Sequence, residues 1–261
     1  MYPALWISKT GLDAMQNRMS VIANNLANIN TTAFKRDRAS FEDLIYQNVR
    51  QVGANSTQDT TLPSGLVQGT GVSTVATQKL HTQGNLVQTG NNLDVAVEGR
   101  GYFQILMPDG NINYTRDGTF ALNQDGEMVT NSGYTLEPSI TIPENALSIT
   151  IGSDGTVSVL VAGDSAPTEV GTIELADFIN PMGLEAQGGN LYSETVSSGT
   201  PSTTAPGSDG VGTLIQGMLE SSNVNVVEEM VNMIETQRAY EMNSKSISTT
   251  DEMLAYITNQ L

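Results

Sequence analysis

The chain has 261 residues, of which 28 are acidic and 11 basic, so its formal net charge is −17. Such a surface repels phosphate and argues against nucleic acid as a partner. Aromatic residues make up only 5% of the chain, which predicts an elongated molecule rather than one compact core. No apolar run reaches the roughly 18–20 residues needed to span a bilayer, so we expect no membrane insertion.

The first predicted element is a helix from Pro3 to Ile29, within an N-terminal segment of residues 1–45. Its apolar residues recur in the heptad pattern of a coiled-coil stripe. A second, weaker stripe of Ile7, Ala14 and Val21 suggests contact with more than one neighbouring helix, although a simple helix pair with a few surface apolar residues remains open. The residues predicted for the main interface are Leu5, Leu12, Met15, Met19, Ile22, Leu26 and Ile29.

Residues 46–70 are predicted to form an extended connector after the first helix. The stretch is polar and contains several glycines, and a loop of this length is usually functional or acts as a linker. We interpret it as an extended arm, with a flexible surface loop as the alternative. The residues that define this arm are Tyr46, Arg50, Gly53, Asp59 and Pro63.

The middle of the chain, residues 71–215, is predicted to be an antiparallel, mainly β domain. Short strand-like runs, such as residues 102–107, 119–122 and 156–161, are separated by turn signals. Asp-Gly pairs favour type I′ hairpin turns, because both central residues of that turn need positive φ. Calcium-binding repeats also contain Asp-Gly, but the ligand-rich loop that they require is absent. The pairs begin at Asp109, Asp117, Asp125 and Asp154.

Residues 216–261 are predicted to form a second long helix, after a low-complexity stretch at 199–212 that we interpret as a linker. Between Val224 and Ile234 this helix is apolar on most faces. Two long helices without a large core between them are expected to pair with each other and with other copies of the chain. Its predicted interface residues, seven positions apart, are Val226, Met233, Tyr240, Ile247 and Leu254.

Together these elements predict an α+β fold. The discontinuous N- and C-terminal α-helices pair as a coiled-coil-like layer, and the central domain is antiparallel and mainly β. Trp6, the only tryptophan, lies beside the apolar stripe of the first helix and is expected to make an interface or core contact.

The sequence offers no constellation of catalytic residues. His81 is the only histidine and there is no cysteine, so one chain cannot form a metal site rich in these residues. No G-x-S-x-G motif accompanies His81, which we expect to be a surface or strand residue. Carboxylates are plentiful, which leaves a cell-wall hydrolase with paired acids as an alternative. We expect a protein without enzymatic activity, cofactor or metal.

Four motifs carry a resemblance to a known family. The segments ANNLAN with INTTAFKR (residues 23–36), LDVAVEGRGYFQ (93–104), YTRDG (114–118) and the C-terminal run that contains QRAY (237–240) resemble the flagellar rod and hook axial proteins. The motifs cover both ends and the middle of the chain. The opening PALWISKTGLDA and the segment Tyr46–Pro63 are most similar to the members that build the distal rod.

The resemblance implies a structural role in the flagellar basal body. Its terminal helices would form the inner layer of a rigid tube that transmits torque to the hook and forms the wall of the export channel. The implied partners are further copies of the chain, other rod proteins, hook-side axial proteins, the P- and L-ring bushing proteins and the type III export apparatus. The resemblance also implies export by that apparatus without a cleaved signal peptide, to a rod that crosses the periplasm to the outer membrane. The N-terminus, which has no pattern of a cleavable signal peptide, is consistent with this route. A proximal rod or hook protein and a fibre or adhesin subunit remain alternatives.

Overall fold

The computed structural model of the chain describes residues 3–53, 63–163 and 166–260, the last four of them by their backbone alone. The chain divides into two units. The terminal unit contains residues 1–27, 37–79 and 225–261, and the β unit contains residues 28–36 and 80–224.

In its described residues, the terminal unit contains two long helices and four strands. Helix α1 is followed by strands β1 to β4, and the final helix α2 closes the chain. The bounds are α1 Pro3–Ala27, β1 Asp37–Asp43, β2 Gln47–Arg50, β3 Leu66–Gln68, β4 Val72–Lys79 and α2 Val226–Gln260.

The β unit contains the other strands and one short 3-10 helix at Pro181–Gly183. The strands are β5 Leu86–Gln88, β6 Val95–Glu98, β7 Tyr102–Leu106, β8 Ile112–Thr115, β9 Phe120–Leu122, β10 Met128–Thr130, β11 Thr135–Glu137, β12 Ala146–Ile151, β13 Thr156–Val161, β14 Thr168–Thr172, β15 Leu175–Asp177, β16 Glu185–Gly188, β17 Leu191–Ser193, β18 Ser202–Thr204, β19 Thr213–Gln216 and β20 Met218–Glu220.

The helices of the terminal unit begin and end at recognisable signals. Pro3 stands in the first turn of α1, where its missing N–H costs nothing. Asn225 precedes α2, and its side-chain oxygen accepts a hydrogen bond from the backbone N–H of Val227 at 3.1 Å. Two glutamates in the first turn of α2 also favour this end through the helix dipole. At the end of α1, the buried Asn25 exchanges hydrogen bonds of 2.8 and 2.9 Å with the backbone of Asp37 at the start of β1.

The strands of the terminal unit form one long antiparallel ribbon. Strands β1 and β4 pair from Asp37 opposite Lys79 to Asp43 opposite Val72. Strands β2 and β3 pair beyond them, with Gln47 opposite Gln68. The polar segment that the sequence predicted as an extended connector therefore contains two paired strands, which its composition did not indicate.

The β unit is built from antiparallel pairs. Among the described residues, a nine-stranded sheet runs β16-β17-β8-β7-β11-β10-β9, with β15 and β18 attached beside β7. Strands β12, β13 and β14 form a second sheet, and two smaller pairs join β6 to β19 and β5 to β20. The core gathers side chains from both sheets. Phe103, Ile105, Leu136, Val157 and Ile173 are among its fully buried members.

The Asp-Gly pairs form turns of a different class from the one predicted. At Asp109, Asp125 and Asp154 the following glycine has φ between 79° and 88°, and none of these aspartates has positive φ. A type I turn followed by a glycine bulge fits this pattern, because only the glycine needs positive φ. At Asp117 no hairpin forms, because the flanking strands β8 and β9 pair with other strands and not with each other. The backbone oxygen of Val95 lies 1.6 Å from the place of a Cβ on Gly118. The type I′ prediction is therefore wrong, and Gly118 permits a close approach of two backbones.

The predicted linker at residues 199–212 is also part of the β unit. It contains β18, which pairs with β15 from Ser202 opposite Asp177, and the buried Pro206. The backbone N–H of Gly207 donates to the oxygen of Gly212 at 2.9 Å. Small polar residues serve here as an edge strand and turns instead of a linker. The predicted α+β class, with terminal helices and a central antiparallel β domain, is confirmed.

Candidate assembly interface

The two terminal helices face each other with small and polar side chains. Ala14 of α1 is 2% exposed, and Glu229 and Thr236 of α2 are 4% and 1% exposed. Asn243 follows Thr236 by seven residues on α2. Its side-chain amide nitrogen lies 3.2 Å from the position that a Cβ on Gly11 of α1 would occupy. Glycine at this position therefore allows a close approach of the helices. The inner row of α2, defined by Glu229, Thr236 and Asn243, is not the apolar row that the heptad pattern selected.

The predicted interface residues of α1 lie at intermediate depth. Ile22 is buried, and the others are half-buried. Ile29 follows the end of the helix at Ala27. Trp6 is 45% exposed, with the Nζ atom of Lys9 located 5.5 Å from its ring centroid.

The predicted interface residues of α2 flank the inner row. Met233, Ile247 and Leu254 are half-buried, whereas Val226 and Tyr240 are 44% and 38% exposed. Within a single chain these residues are therefore only partly covered.

A more exposed apolar surface lies on the first turns of α2. Val227, Met230, Val231 and Ile234 are between 48% and 70% exposed. Their spacing of three and four residues places them on one side of the helix. We call these four residues the outer stripe. The sequence indicated that this part of the helix is apolar on most faces, and the structure identifies the side that the chain itself leaves uncovered.

The ribbon adds a second exposed apolar surface. Tyr46 and Val49 are 56% and 60% exposed, and Leu66 and Val67 on the opposite strand are 55% and 48% exposed. Two-stranded ribbons bury little, so apolar residues on them contact solvent unless another molecule covers them.

The predicted arm residues belong to this ribbon or lie next to it. Tyr46 precedes β2, Arg50 ends it, and Gly53 has a φ of 75° in the following turn. Pro63 is exposed before β3. Asp59 lies outside the described residues.

A buried ion pair joins distant segments of the β unit. The Nζ atom of Lys35 lies 2.5 Å from Oε1 of Glu220 and donates a hydrogen bond to the backbone oxygen of Thr82 at 2.9 Å. Both side chains of the pair are almost fully buried. The backbone N–H of Gly84 donates to the same carboxylate oxygen at 2.7 Å, and Nε of Arg116 lies 3.4 Å from Oε2. Burial lowers the pKa of Lys35, and the charge of Glu220 opposes this shift.

Asn223 reinforces the same junction. Its Oδ1 accepts a hydrogen bond from the backbone N–H of Arg36 at 2.8 Å, and its Nδ2 donates to the oxygen of Leu80 at 2.8 Å. The backbone N–H of Leu80 in turn donates to the oxygen of Arg36 at 2.9 Å. These bonds hold three chain segments together where the polypeptide enters and leaves the β unit. Sequence reasoning missed this cluster, since its members are far apart in the chain.

The single histidine packs into an aromatic cluster. Nδ1 of His81 lies 2.8 Å from the hydroxyl oxygen of Tyr102, and its ring meets that of Tyr192 edge-on. Burial raises the pKa of Tyr102. Among residues 3–53, 63–163 and 166–256, no group of three or more His, Cys, Asp or Glu side chains is arranged to hold a metal ion. In the same part of the chain, no helix has the length and apolarity to cross a membrane.

Models of flagellar protein families match three parts of the chain. Residues 6–35 match the flagella basal body rod protein family, and residues 96–159 match the D1 domain of the flagellar hook proteins FlgE/F/G. Residues 215–261 match the C-terminal region of the flagellar basal body rod FlgEFG proteins.

Curated relatives match nearly the whole chain. The flagellar basal-body rod protein FlgG of Buchnera aphidicola subsp. Schizaphis graminum is 59% identical over 97% of this chain and 98% of its own length. FlgG of Caulobacter vibrioides is 46% identical over 99% of this chain and 98% of its own, and FlgF of the same organism is 34% identical over 96% and 94%. The predicted resemblance is thereby confirmed, and the chain belongs to the family of flagellar basal-body rod proteins, which are structural axial subunits.

Proposed function

We propose that the chain polymerises into the rigid tube of the distal rod, transmits motor torque to the hook and forms part of the export channel wall. The identities favour the distal rod, since the FlgG sequence of Caulobacter vibrioides is 46% identical and its FlgF sequence 34%. The role is structural, without catalysis or a cofactor.

The outer stripe of α2 is the observation that carries this proposal. Four apolar side chains stand 48% to 70% exposed on one side of a helix whose inner row is polar. Removing apolar surface from water is favourable by about 25 cal/mol per Å², so a helix of this kind is stabilised when another molecule covers it. In a rod, that molecule is a neighbouring copy.

Such a contact builds a filament when it joins different surfaces of successive copies. A heterologous contact that does not close into a ring propagates as a helix. The predicted interface residues of both helices, most of which are half-buried within one chain, supply further contact area. Other rod proteins and hook-side axial proteins meet the polymer at its ends. The rod crosses the periplasm, and the P- and L-rings surround it in the peptidoglycan and the outer membrane.

The ribbon supplies rigidity in this proposal. Its exposed apolar side chains, including Tyr46 and Leu66, lie against neighbouring subunits and fill the gaps through which a bending tube would compress. Each contact is weak, but it recurs at every subunit and opposes the same deformation.

Electron microscopy of the concentrated full-length chain tests the proposal. The wild-type chain is expected to form straight tubes, and discrete oligomers in their place would contradict polymerisation.

A shortened ribbon tests the proposal that the ribbon makes the tube rigid. Replacing residues 46–69 by two glycines keeps the base of the ribbon, where the backbone N–H of Leu44 donates to the oxygen of Gly71 at 2.9 Å. We expect this variant to form tubes that curve, and straight tubes of unchanged stiffness would show that rigidity arises elsewhere. A chain with Val67→Thr, which keeps the strands but removes one apolar side chain, serves as the matched control.

A further inference from the structure

The β unit contains a cleft in which basic side chains meet. Residues 80–224 contain 17 acidic side chains but only two arginines and the single histidine of the chain. These three residues, Arg100, Arg116 and His81, line one cleft of about 270 Å³ together with the carboxylate of Asp177. The basic groups of this acidic segment are thus concentrated at one place.

A buried arginine shapes the cleft. Arg116 is 5% exposed and donates hydrogen bonds to the backbone oxygens of Gly99 at 2.6 Å and Gly101 at 2.8 Å. Both glycines have positive φ, 111° and 130° respectively, a conformation that other residues rarely adopt. Arg116 therefore fixes the tight loop that carries Arg100 between these two glycines.

Arg100 presents its charge at the mouth of the cleft. Its Nη2 atom lies 3.0 Å from a carboxylate oxygen of Asp177 and donates to the backbone oxygen of Phe178 at 3.1 Å. Its side chain nevertheless remains 62% exposed. A guanidinium has five N–H donors in a planar fork that suits a carboxylate, so Arg100 retains capacity for a second acidic group.

We propose that this basic cleft binds the carboxylate of an aspartate or glutamate on a second copy of the chain, with Arg100 as the contacting group. The inference rests on the proposed polymerisation. Charge complementarity supports this occupant, because residues 101–210 carry 14 acidic side chains and one basic one. Each copy therefore brings carboxylates to its neighbours. An exposed guanidinium at the mouth of the cleft offsets part of the resulting repulsion and fixes the register of neighbouring β units.

Carbodiimide cross-linking of an Arg100→Lys chain tests the inference. The reagent joins an amine to a carboxylate only when the two are in contact, and arginine does not react. Equal amounts of ¹⁴N- and ¹⁵N-labelled Arg100→Lys chains are polymerised together, cross-linked and digested, and mass spectrometry locates the bonds. Mixed-isotope peptides identify cross-links between copies. A Val196→Lys chain carries the same amine at a fully exposed site of the β unit and serves as the matched control.

We expect mixed-isotope cross-links from the amine at position 100 to an Asp or Glu in the polymer, at least fivefold more abundant than those from the amine at position 196 in the control. A polymer in which the amine at position 100 reacts only with Asp177 of its own chain, or no more than the control amine does, would overturn the inference and leave the proposed polymerisation intact. A wild-type chain that does not assemble would overturn both.

A neutral substitution gives the second readout. Arg100→Gln keeps the loop and removes the charge, so the critical concentration for polymerisation should rise about two- to fivefold at low salt, as expected for a partly exposed charge pair. Raising the salt should reduce the difference from the wild type. An Arg100→Gln chain that assembles like the wild type at low salt would contradict the proposal.

Discussion

The two units of the molecule differ in how many of their apolar residues they bury. In the β unit, Phe103, Ile105 and Leu136 are fully buried with many others. In the described part of the terminal unit, Ala14 and Ile22 are the only apolar residues in the buried class. The β unit completes a core within one chain. The terminal unit leaves apolar surface that further copies of the chain cover under the proposed polymerisation.

The ion pairs of the two units also differ in burial. The β unit contains the buried pair of Lys35 and Glu220, whose side chains are 1% and 0% exposed. The pair of Lys79 and Asp37 in the terminal unit lies 3.0 Å apart but keeps side-chain exposures of 22% and 16%. A buried pair depends on both partners, because either charge alone is costly away from water, whereas solvent screens an exposed pair.

A cavity in the β unit should have the largest effect. Phe103 packs edge-on against Phe120 with ring centroids 5.2 Å apart, and Phe103→Ala should lower the free energy of unfolding by about 3–5 kcal/mol. Val227→Ala in the outer stripe should change it by less than about 0.5 kcal/mol. Urea denaturation of the monomers measures both values. Equal losses of unfolding free energy in Phe103→Ala and Val227→Ala would contradict the contrast between the two units.

Breaking the buried ion pair should have the next largest effect. Lys35→Met removes the ion pair at Oε1 of the buried Glu220 carboxylate and leaves Arg116, whose Nε lies 3.4 Å from Oε2. This change should cost about 3 kcal/mol. The double variant with Glu220→Gln should recover part of this loss, since no carboxylate then remains uncompensated. Lys79→Met in the half-buried pair of the terminal unit is the matched control and should cost less than about 1 kcal/mol, because solvent still reaches that pair. If Glu220→Gln lowers the free energy of unfolding of the Lys35→Met chain as much as it lowers that of the wild type, the two residues are not coupled.

High pH should destabilise the β unit. Burial, followed by the nearby charge of Glu194, raises the pKa of Tyr114 to about 12. An unfolded tyrosine ionises near pH 10, so the stabilising contribution of the neutral hydroxyl is complete below that pH and is lost as the pH rises from about 10 to 12. Unfolding curves between pH 8 and 12 should show the loss, and Tyr114→Phe should reduce it. An unchanged pH dependence in Tyr114→Phe would place its cause elsewhere.

A charge in the outer stripe should have the smallest effect on the monomer. Val231 is 49% exposed, so Val231→Asp should leave the unfolding curve within about 0.5 kcal/mol of the wild type. Assembly should be lost, because the carboxylate would be buried without a partner at each contact between copies. Val196→Asp makes the same change on the β unit and should still form tubes. Normal tubes of Val231→Asp would show that the outer stripe stays in solvent.

Much of the architecture could be predicted from local patterns. The heptad spacing in the two terminal segments corresponds to α1 and α2, although α2 begins at Val226 and not at residue 216, and the strand-like run at residues 156–161 is β13. The pattern did not identify the inner row of α2, because Glu229, Thr236 and Asn243 are polar and heptad analysis selects apolar residues. It also gave the wrong turn class for Asp-Gly, since the same dipeptide suits a type I turn followed by a glycine bulge.

Long-range features could not be predicted. Lys35 and Glu220 are 185 residues apart in the chain, and no local pattern marks either as buried. The contacts of Arg116 with the loop around Arg100 also join distant parts of the sequence, because they depend on the pairing of β7 with β8. The interface residues proposed from the sequence remain predictions, because a single chain can show which surfaces are uncovered but only an assembly shows what covers them.

Hydrogen exchange measured in the monomer and in the polymer shows directly whether other copies complete the terminal unit. Amides of the β unit, such as those of β7 and β13, should be equally protected in both forms. Amides of α1 and α2 should exchange rapidly in the monomer, because long helices with little buried apolar surface open readily, and should become protected on assembly. Helices that are as well protected in the monomer as in the polymer would contradict the claim that the terminal unit is completed by other copies.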